Sequence, residues 1–460
     1  MITPQFSVRQ DDEYVYIDIK VVHLKTQNAE LSAEGDVFRF SLPPYYLRLH
    51  FPGNIVDDER ANASLDLSKS SLAVKFPKET AGEFFPDLDL MTKLLARVGD
   101  SKEAGTAAIV TDASSKIATP ANKPLIEEIG ASGGNDGLEE AAGVNETQRK
   151  LLQDLNDAEN FDWQIEQPLP EDDSLLTARY GFNQQYNGYL RQTRDIGNDI
   201  NDLDSPETST AESRREERIN RENEKFDPDY YLSDLYANDE IPELLRYEPS
   251  LVKLAKDHIR SISSESVTEI QFTDEEKKKM LDLPRRTFIA DSLEATKLLY
   301  VNLIPIIFAY CYDARTTMDD HTSESAWTVG KLAMNISCLD SSTTTTIPGL
   351  KISCVRRALA YPLYRNYELS LKCWNDMYYI FRGGKRALLK ALLDVNHLFA
   401  YHDVYYVYSK TITEDYCAWI QTASDSVIRS LAHEINHCDI QKGDLGWDIP
   451  EIERTTFGSN

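Results

Sequence analysis

The chain has no apolar run of the ~18 to 20 residues that a membrane-spanning helix needs. Its start, Met1-Ile-Thr-Pro-Gln-Phe6, carries no basic segment leading into an apolar core. A soluble, unsecreted chain with no membrane partner is the expectation. Cysteine is scarce: Cys311, Cys338, Cys354, Cys373, Cys417 and Cys438 are separated by 27, 16, 19, 44 and 21 residues, and no C-x-x-C occurs. Zinc sites and disulfide frameworks use short paired spacings, so buried reduced thiols in a cytosolic or nuclear protein are expected instead. Neither G-x-x-x-x-G-K-[ST] nor G-x-S-x-G is present, and no G-x-G-x-x-G follows a strand pattern, which removes phosphate-cradling loops and serine elbows from consideration. Positive charge is also short. The 49 Lys and Arg face 76 Asp and Glu, a net of -27, so the surface field repels nucleic acid and attracts basic partners.

Aromatic residues are missing from one long stretch. Between Pro86 and Asn160 there is no Phe, Tyr or Trp, although aromatics form 10% of the chain, and about seven would be expected there by proportion. Gly, Ala, Ser and Pro dominate several parts of that stretch, a composition that buries too little apolar surface to offset chain entropy. Residues 98–148 read as a disordered linker between two domains, 1–97 and 149–455. A total of 460 residues also exceeds what one core ordinarily serves, which is roughly 250 to 300.

Before the linker, β-branched and aromatic residues alternate in short runs: Phe6-Ser-Val8, Tyr14 to Val22, Asp36 to Phe40, Tyr45 to Phe51, Ser64 to Leu67 and Ser71 to Phe76. Pro43-Pro44, Pro52-Gly53 and Pro77 punctuate them. Six or seven strands without an intervening helix predict an all-β antiparallel sandwich, closed by a short amphipathic helix over Leu88 to Leu95. Beyond the linker the reading is all-α. Helices are predicted near Glu248–Ile259, after the capping-box sequence Thr273-Asp-Glu-Glu276, over Asn366–Phe381 up to the stop at Gly383-Gly384, over Ala387–Phe399, and over Tyr416–Ile435. The apolar run Leu298 to Ala309 reads as a buried helix, and Trp327, Trp374 and Trp419 read as core.

Charge is uneven. Leu151 to Ser250 holds 25 acidic and 9 basic residues, which predicts a strongly negative face at the start of the helical domain. Such a face is either a solvated surface or a docking surface for something basic, and Glu171, Asp172 and Asp173 fit both readings. One local match to metal chemistry exists, His433-Glu434-Ile-Asn-His437 with the spacing H-E-x-x-H, which on a helix puts two imidazoles on one face with a carboxylate to polarise water. A zinc hydrolase needs a third protein ligand. Only 23 residues follow His437, and Glu451 and Glu453 fall in what reads as an irregular tail. No metal or other cofactor is therefore expected.

Several blocks together resemble a known family. Ile2-Thr-Pro4, Phe6, Gln10-Asp11, Tyr45-Tyr-Leu-Arg-Leu49, Phe51-Pro-Gly53, Phe76-Pro-Lys-Glu-Thr80 with Gly82, and Leu94-Leu-Ala96 resemble a CS domain, the small heat-shock-protein-like sandwich, in the variant found in the Shq family. In the helical half Tyr180-Gly-Phe182, Tyr312-Asp313 with Arg315, Thr322-Ser-Glu-Ser-Ala-Trp327, Arg356-Arg357, Tyr361-Pro-Leu-Tyr-Arg365, Leu392-Leu-Asp394 and Asp415-Tyr-Cys-Ala-Trp-Ile-Gln421 resemble that family's own domain. The Shq family comprises assembly chaperones of box H/ACA small nucleolar ribonucleoproteins. The resemblance implies a monomeric, non-enzymatic chaperone of nucleus (nucleoplasm) and cytoplasm. It would bind the free pseudouridine synthase (dyskerin) on its RNA-binding surface until assembly, as a mimic of RNA, with pontin- and reptin-type AAA+ ATPases implicated in release. A general heat-shock co-chaperone acting through the CS domain is the alternative, and the zinc hydrolase a more distant one. Within the matched blocks Asp313, Arg315, Glu324, Arg356, Arg357, Arg365 and Asp415 are the candidate client-binding residues, with buried structural ion pairs as the competing role for each.

Overall fold

The computed structural model describes residues 3–20, 30–42, 45–58, 60–66, 71–95, 178–191, 197–262, 269–285, 288, 292–341 and 346–457. The linker over 98–148 and the residues Glu171, Asp172 and Asp173 lie outside these.

The amino-terminal strands alternate inward and outward with the period of two that their sequences carry. They are β1 Gln5–Gln10, β2 Tyr14–Lys20, β3 Glu30–Glu34, β4 Val37–Leu42, β5 Tyr45–His50, β6 Asn62–Asp66 and β7 Ser71–Pro77. All pairings are antiparallel, in one sheet of order β1-β2-β7-β6 and a second of order β3-β4-β5. Val15, Ile17 and Ile19 of β2 and Val74 and Phe76 of β7 face Phe38, Phe40, Leu47 and Leu49 of the other sheet. The Phe38 and Phe76 rings meet edge-on across the gap at 5.6 Å. Strand β3 was not legible as a run, because Glu30-Leu-Ser-Ala-Glu34 has only Leu31 and Ala33 turned to the core, and its register comes from pairing with β4.

Several of the sandwich blocks quoted above meet at one corner. The Lys78 ammonium is buried and donates to Gln10 Oε1 at 2.9 Å and to the carbonyls of Asp11 and Glu83 at 2.6 Å each. Gln10 and Phe85 exchange two further hydrogen bonds. A Cβ on Gly53 would stand 2.3 Å from the Phe85 ring, so only glycine lets that ring close the corner.

From Ala178 onward the structure is helical. The capping box at Thr273 and Glu276 forms as its spacing dictates, and Asn366 caps the helix Tyr367–Arg382 through Leu369 N–H. The stop between that helix and Lys385–Ala400 falls at Gly384, whose φ is 84°. The apolar stretch containing Leu298 to Ala309 becomes two helices, Leu293–Val301 and Leu303–Thr316, joined at Asn302, and the second is buried along nearly its whole length. Trp374 and Trp419 are buried, and Trp327 packs half-exposed against the core.

Two sequence expectations need correction, and one helix was not expected at all. The single helix expected over Tyr416–Ile435 is interrupted: Glu414–Trp419, a short 3-10 turn Ile420–Thr422 and Asp425–His437 are separate, because Ala423 is extended and Ser424 N–H is taken by the Tyr300 hydroxyl at 2.9 Å. The tail after His437 is not irregular, since Ile449–Phe457 is a helix, held by Glu453 to Tyr231 Oη at 2.7 Å and to Lys442 Nζ at 2.6 Å. The helix Ala211–Lys225 carries no apolar stripe, and it turns Arg214, Arg218 and Glu222 inward instead.

The sandwich and the helical body pack as one compact unit. Lys385 Nζ lies 2.6 Å from Asp87 Oδ2, and Arg386 Nη1 lies 2.8 Å from Asp89 Oδ1. Thr92 donates to the Met280 carbonyl at 3.0 Å, and Arg285 to the Thr3 hydroxyl at 2.6 Å. The glycine-rich cluster Gly383-Gly-Lys-Arg386 is thus a helix restart whose two cations hold the end of the sandwich.

Candidate functional site

The acidic segment divides into an inner and an outer set of charges. The inner set starts at Glu222, which is fully buried. It accepts from Arg218 Nη1 at 2.9 Å and Arg356 Nε at 2.6 Å, with Arg357 Nη1 at 3.5 Å. Arg218 also donates Nε to Asp340 at 2.8 Å. Asp202 receives Lys331 Nζ at 2.6 Å, Arg357 Nη2 at 2.8 Å and the Tyr361 hydroxyl at 3.1 Å. Arg357 spans both carboxylates and gives its Nε to the Lys331 carbonyl at 2.6 Å; burial lowers its pKa, but Cys338, Tyr361, Asp202 and Glu222 together outweigh this and hold it well above the usual arginine range. Burial raises the Asp202 carboxyl, but Arg357 and Lys331 more than reverse this and leave it below the ordinary value. Every buried charge in this lattice has a partner, as the desolvation of ions requires.

The outer set is what the lattice presents. Between Gly197 and Ser250 ten carboxylates are exposed (Asp199, Asp204, Glu212, Glu216, Glu224, Asp227, Asp229, Asp239, Glu240 and Glu243), against three exposed cations, Arg215, Lys225 and Arg246. Glu212, Glu216 and Glu224 stand on the outward side of Ala211–Lys225, whose inward side is the lattice. Because buried pairs fix the helix, its carboxylates are displayed on a rigid support and little backbone freedom is lost on meeting a partner. Only the charge count of the segment signalled this surface; the sequence did not single out these residues.

Of the candidate residues named from the sequence, five are enclosed. Asp313 is 1% exposed and lies 2.6 Å from His321 Nδ1. Arg315 is fully buried, donating to Asp376 at 2.7 Å and to the Leu244 carbonyl at 2.8 Å, with a further bond to the Tyr247 carbonyl. Burial pushes the Asp376 carboxyl up to about 6, opposed by Arg315. Arg356 and Arg357 belong to the lattice, and the guanidinium of Arg356 also stacks on Trp447 at 4.1 Å. Asp415 is fully buried and accepts from Tyr186 Oη. With almost no accessible surface these five are engaged inside the protein. Glu324 is exposed, beside the Thr322 and Ser325 hydroxyls that start the helix Ser325–Leu332. Arg365 is half-exposed, lying over the Tyr230 ring at 4.2 Å, its backbone N–H bonded to Asp234 at 2.6 Å.

The block Tyr180-Gly-Phe182 has a packing explanation. Tyr180 Oη donates to Glu207 at 2.6 Å, and Phe182 sits among Phe288, Tyr416 and Trp419 with ring centroids 5.0, 4.9 and 6.2 Å away. Gly181 has φ 76°, and a Cβ there would lie 2.5 Å from the Thr411 carbonyl oxygen.

The two histidines of His433-Glu-Ile-Asn-His437 are exposed on the helix Asp425–His437, their rings 4.1 Å apart, with His437 Nδ1 2.8 Å from the His433 carbonyl. Among the described residues no group of three or more His, Cys, Asp or Glu is arranged to hold a metal ion. All six cysteines are free, five of them buried, and burial pushes the thiols of Cys311, Cys354 and Cys373 up, away from thiolate chemistry.

Comparison with known proteins agrees with this geometry. Residues 3–95 match the family model described as SHQ1-like, CS domain, and residues 261–449 match SHQ1 protein, Shq1 domain. Protein shq1 of Schizosaccharomyces pombe is 41% identical over 98% of this chain and 96% of its own length. Protein SHQ1 homolog of Xenopus tropicalis is 35% identical over 98% of this chain and 69% of its own, and the Caenorhabditis elegans homolog 27% identical over 98% and 96%. With a β-sandwich where the first model falls and a helical body where the second does, the chain belongs to the SHQ1 family.

Proposed function

We propose that this chain is an assembly chaperone of box H/ACA ribonucleoproteins that binds the free pseudouridine synthase and covers its RNA-binding surface until RNA takes its place. Membership of the SHQ1 family supports the assembly role in general. The observation that carries the finer reading is the exposed carboxylate array between Gly197 and Ser250, backed by the buried arginine lattice. A surface that binds RNA is basic, and a rigid array of carboxylates can neutralise the same cations that phosphates later occupy. Such binding weakens with salt, because exposed charges are screened beyond about 8 Å at physiological ionic strength. The chemistry is association and release, with no catalytic step. Release follows from RNA competition and from AAA+ ATPases of the pontin and reptin type, and the work takes place in nucleoplasm and cytoplasm.

The test is competition. The full chain is bound to immobilised synthase and challenged with guide RNA. Mutual displacement, with an apparent affinity that falls as salt rises, is the expected result. Simultaneous binding without mutual weakening would reject the reading.

A further inference from the structure

Among the described residues five arginines are buried in the helical body, and four of them have a carboxylate within ion-pair distance: Arg218, Arg315, Arg356 and Arg357. Arg214 does not. Only 5% of it is exposed, and it donates Nε to the Ser209 hydroxyl at 2.8 Å and Nη1 to the carbonyls of Arg179 at 2.9 Å and Leu339 at 3.3 Å. Its Nη2 makes no hydrogen bond among the described residues. The acids nearest to it are engaged elsewhere, Asp340 by Arg218 at 2.8 Å and Glu207 by Tyr180 at 2.6 Å. Desolvation accordingly lowers the Arg214 pKa, whereas in the paired Arg218 the carboxylates of Glu222 and Asp340 outweigh burial and raise it. A buried cation held only by neutral oxygens is one counter-ion short.

Arg214 lines a cavity of about 380 Å³, with Arg179, Ser209, Thr210, Ser341 and the carboxylate residue Asp340 around it. Arg179 is exposed at its mouth. The Asp340 side is electrically occupied by Arg218. The amino end of the helix Ala211–Lys225 adds partial positive charge to the same space. Two guanidinium groups and several hydroxyls offer more donors than the two oxygens of a carboxylate use, and they suit the three oxygens of a phosphate ester. The volume leaves room for the organic group that carries it.

We propose that this cavity binds a phosphate monoester, which supplies the missing counter-ion of Arg214 and is carried by a phosphorylated hydroxyl side chain or by a small phosphate ester. The cavity opens at the amino end of the helix whose outward side carries Glu212 and Glu216.

The experiment titrates the full chain with inorganic phosphate, phosphothreonine, AMP and acetate at constant ionic strength. Thermal midpoint and phosphorus NMR line width are the readouts. A saturable rise in midpoint with phosphate and with at least one ester is expected, the tighter ester identifying the source. Arg179→Gln, on an exposed residue, should weaken binding at least fivefold with the unliganded midpoint unchanged, and Arg214→Gln should abolish it. The proposal is overturned by the absence of saturable binding, by acetate protecting as well as phosphate, or by Arg179→Gln binding like the unaltered chain. The last outcome decides the matter even if Arg214→Gln does not fold.

Discussion

At the scale of single residues, burial explains five of the charged positions in the matched blocks, Asp313, Arg315, Arg356, Arg357 and Asp415, and one of these, Asp313, has a titratable partner just outside its block. His321 Nδ1 meets the enclosed Asp313 carboxylate at 2.6 Å, and this hydrogen bond, outweighing burial, raises the imidazole above its ordinary 6.5. The folded state therefore holds the proton more tightly than the unfolded chain. The stability this contributes is complete below about pH 6.5 and is lost as pH rises through the higher folded value. His321→Gln should be less stable than the unaltered chain at pH 6, with the gap closing on the alkaline side. Urea midpoints across pH 5.5 to 8.5 check this, and a gap that widens with pH would contradict the pairing. Asp313 was legible as a functional or structural position from its block; its partner was not, because His321 is brought to it by a turn containing Met318 and Asp319 at positive φ.

At the scale of elements, hydropathy located helices whose inward face is apolar and failed where that face is ionic. Tyr367–Arg382 and Lys385–Ala400 were readable because leucine and aromatic residues recur at the helical period. Ala211–Lys225 was not, since Arg214, Arg218 and Glu222 occupy the positions that apolar residues would fill. Its attachment depends on Glu222, which holds it to Ile347–Ala360 through Arg356 and Arg357. Replacing Glu222 by Ala leaves buried guanidinium groups short of a carboxylate and should destabilise the fold by about 3 to 5 kcal/mol. Amide hydrogen exchange should then quicken first over 211–225. Exchange unchanged in that helix would show that the lattice does not fasten it.

At the scale of the whole molecule, a net charge of -27 says that a basic partner is favoured but not where it docks. The fold sorts the acids of the segment into those spent on internal pairing and those left outside, such as Glu212, Glu216 and Glu224. Reversing these three together to Lys should weaken synthase binding by about tenfold or more at low salt and progressively less as salt rises. The thermal midpoint should hardly move, because exposed charges contribute little to stability. Equal affinity for both proteins at low salt would separate the acidic face from binding.

The order of residues by itself determined that a β-sandwich precedes a helical body, because strand and helix periodicities are local and need only neighbouring side chains. It also determined the family, through short blocks whose spacing survives on the surface of the text. Only the tertiary structure decided which charges are internal and which are offered to a partner. Arg357, Asp202 and Glu222 are separated by up to 155 residues along the chain, and ion pairing between them depends on distances that no local pattern encodes. Burial of a charge is a property of its surroundings, set by whatever remote segment folds against it.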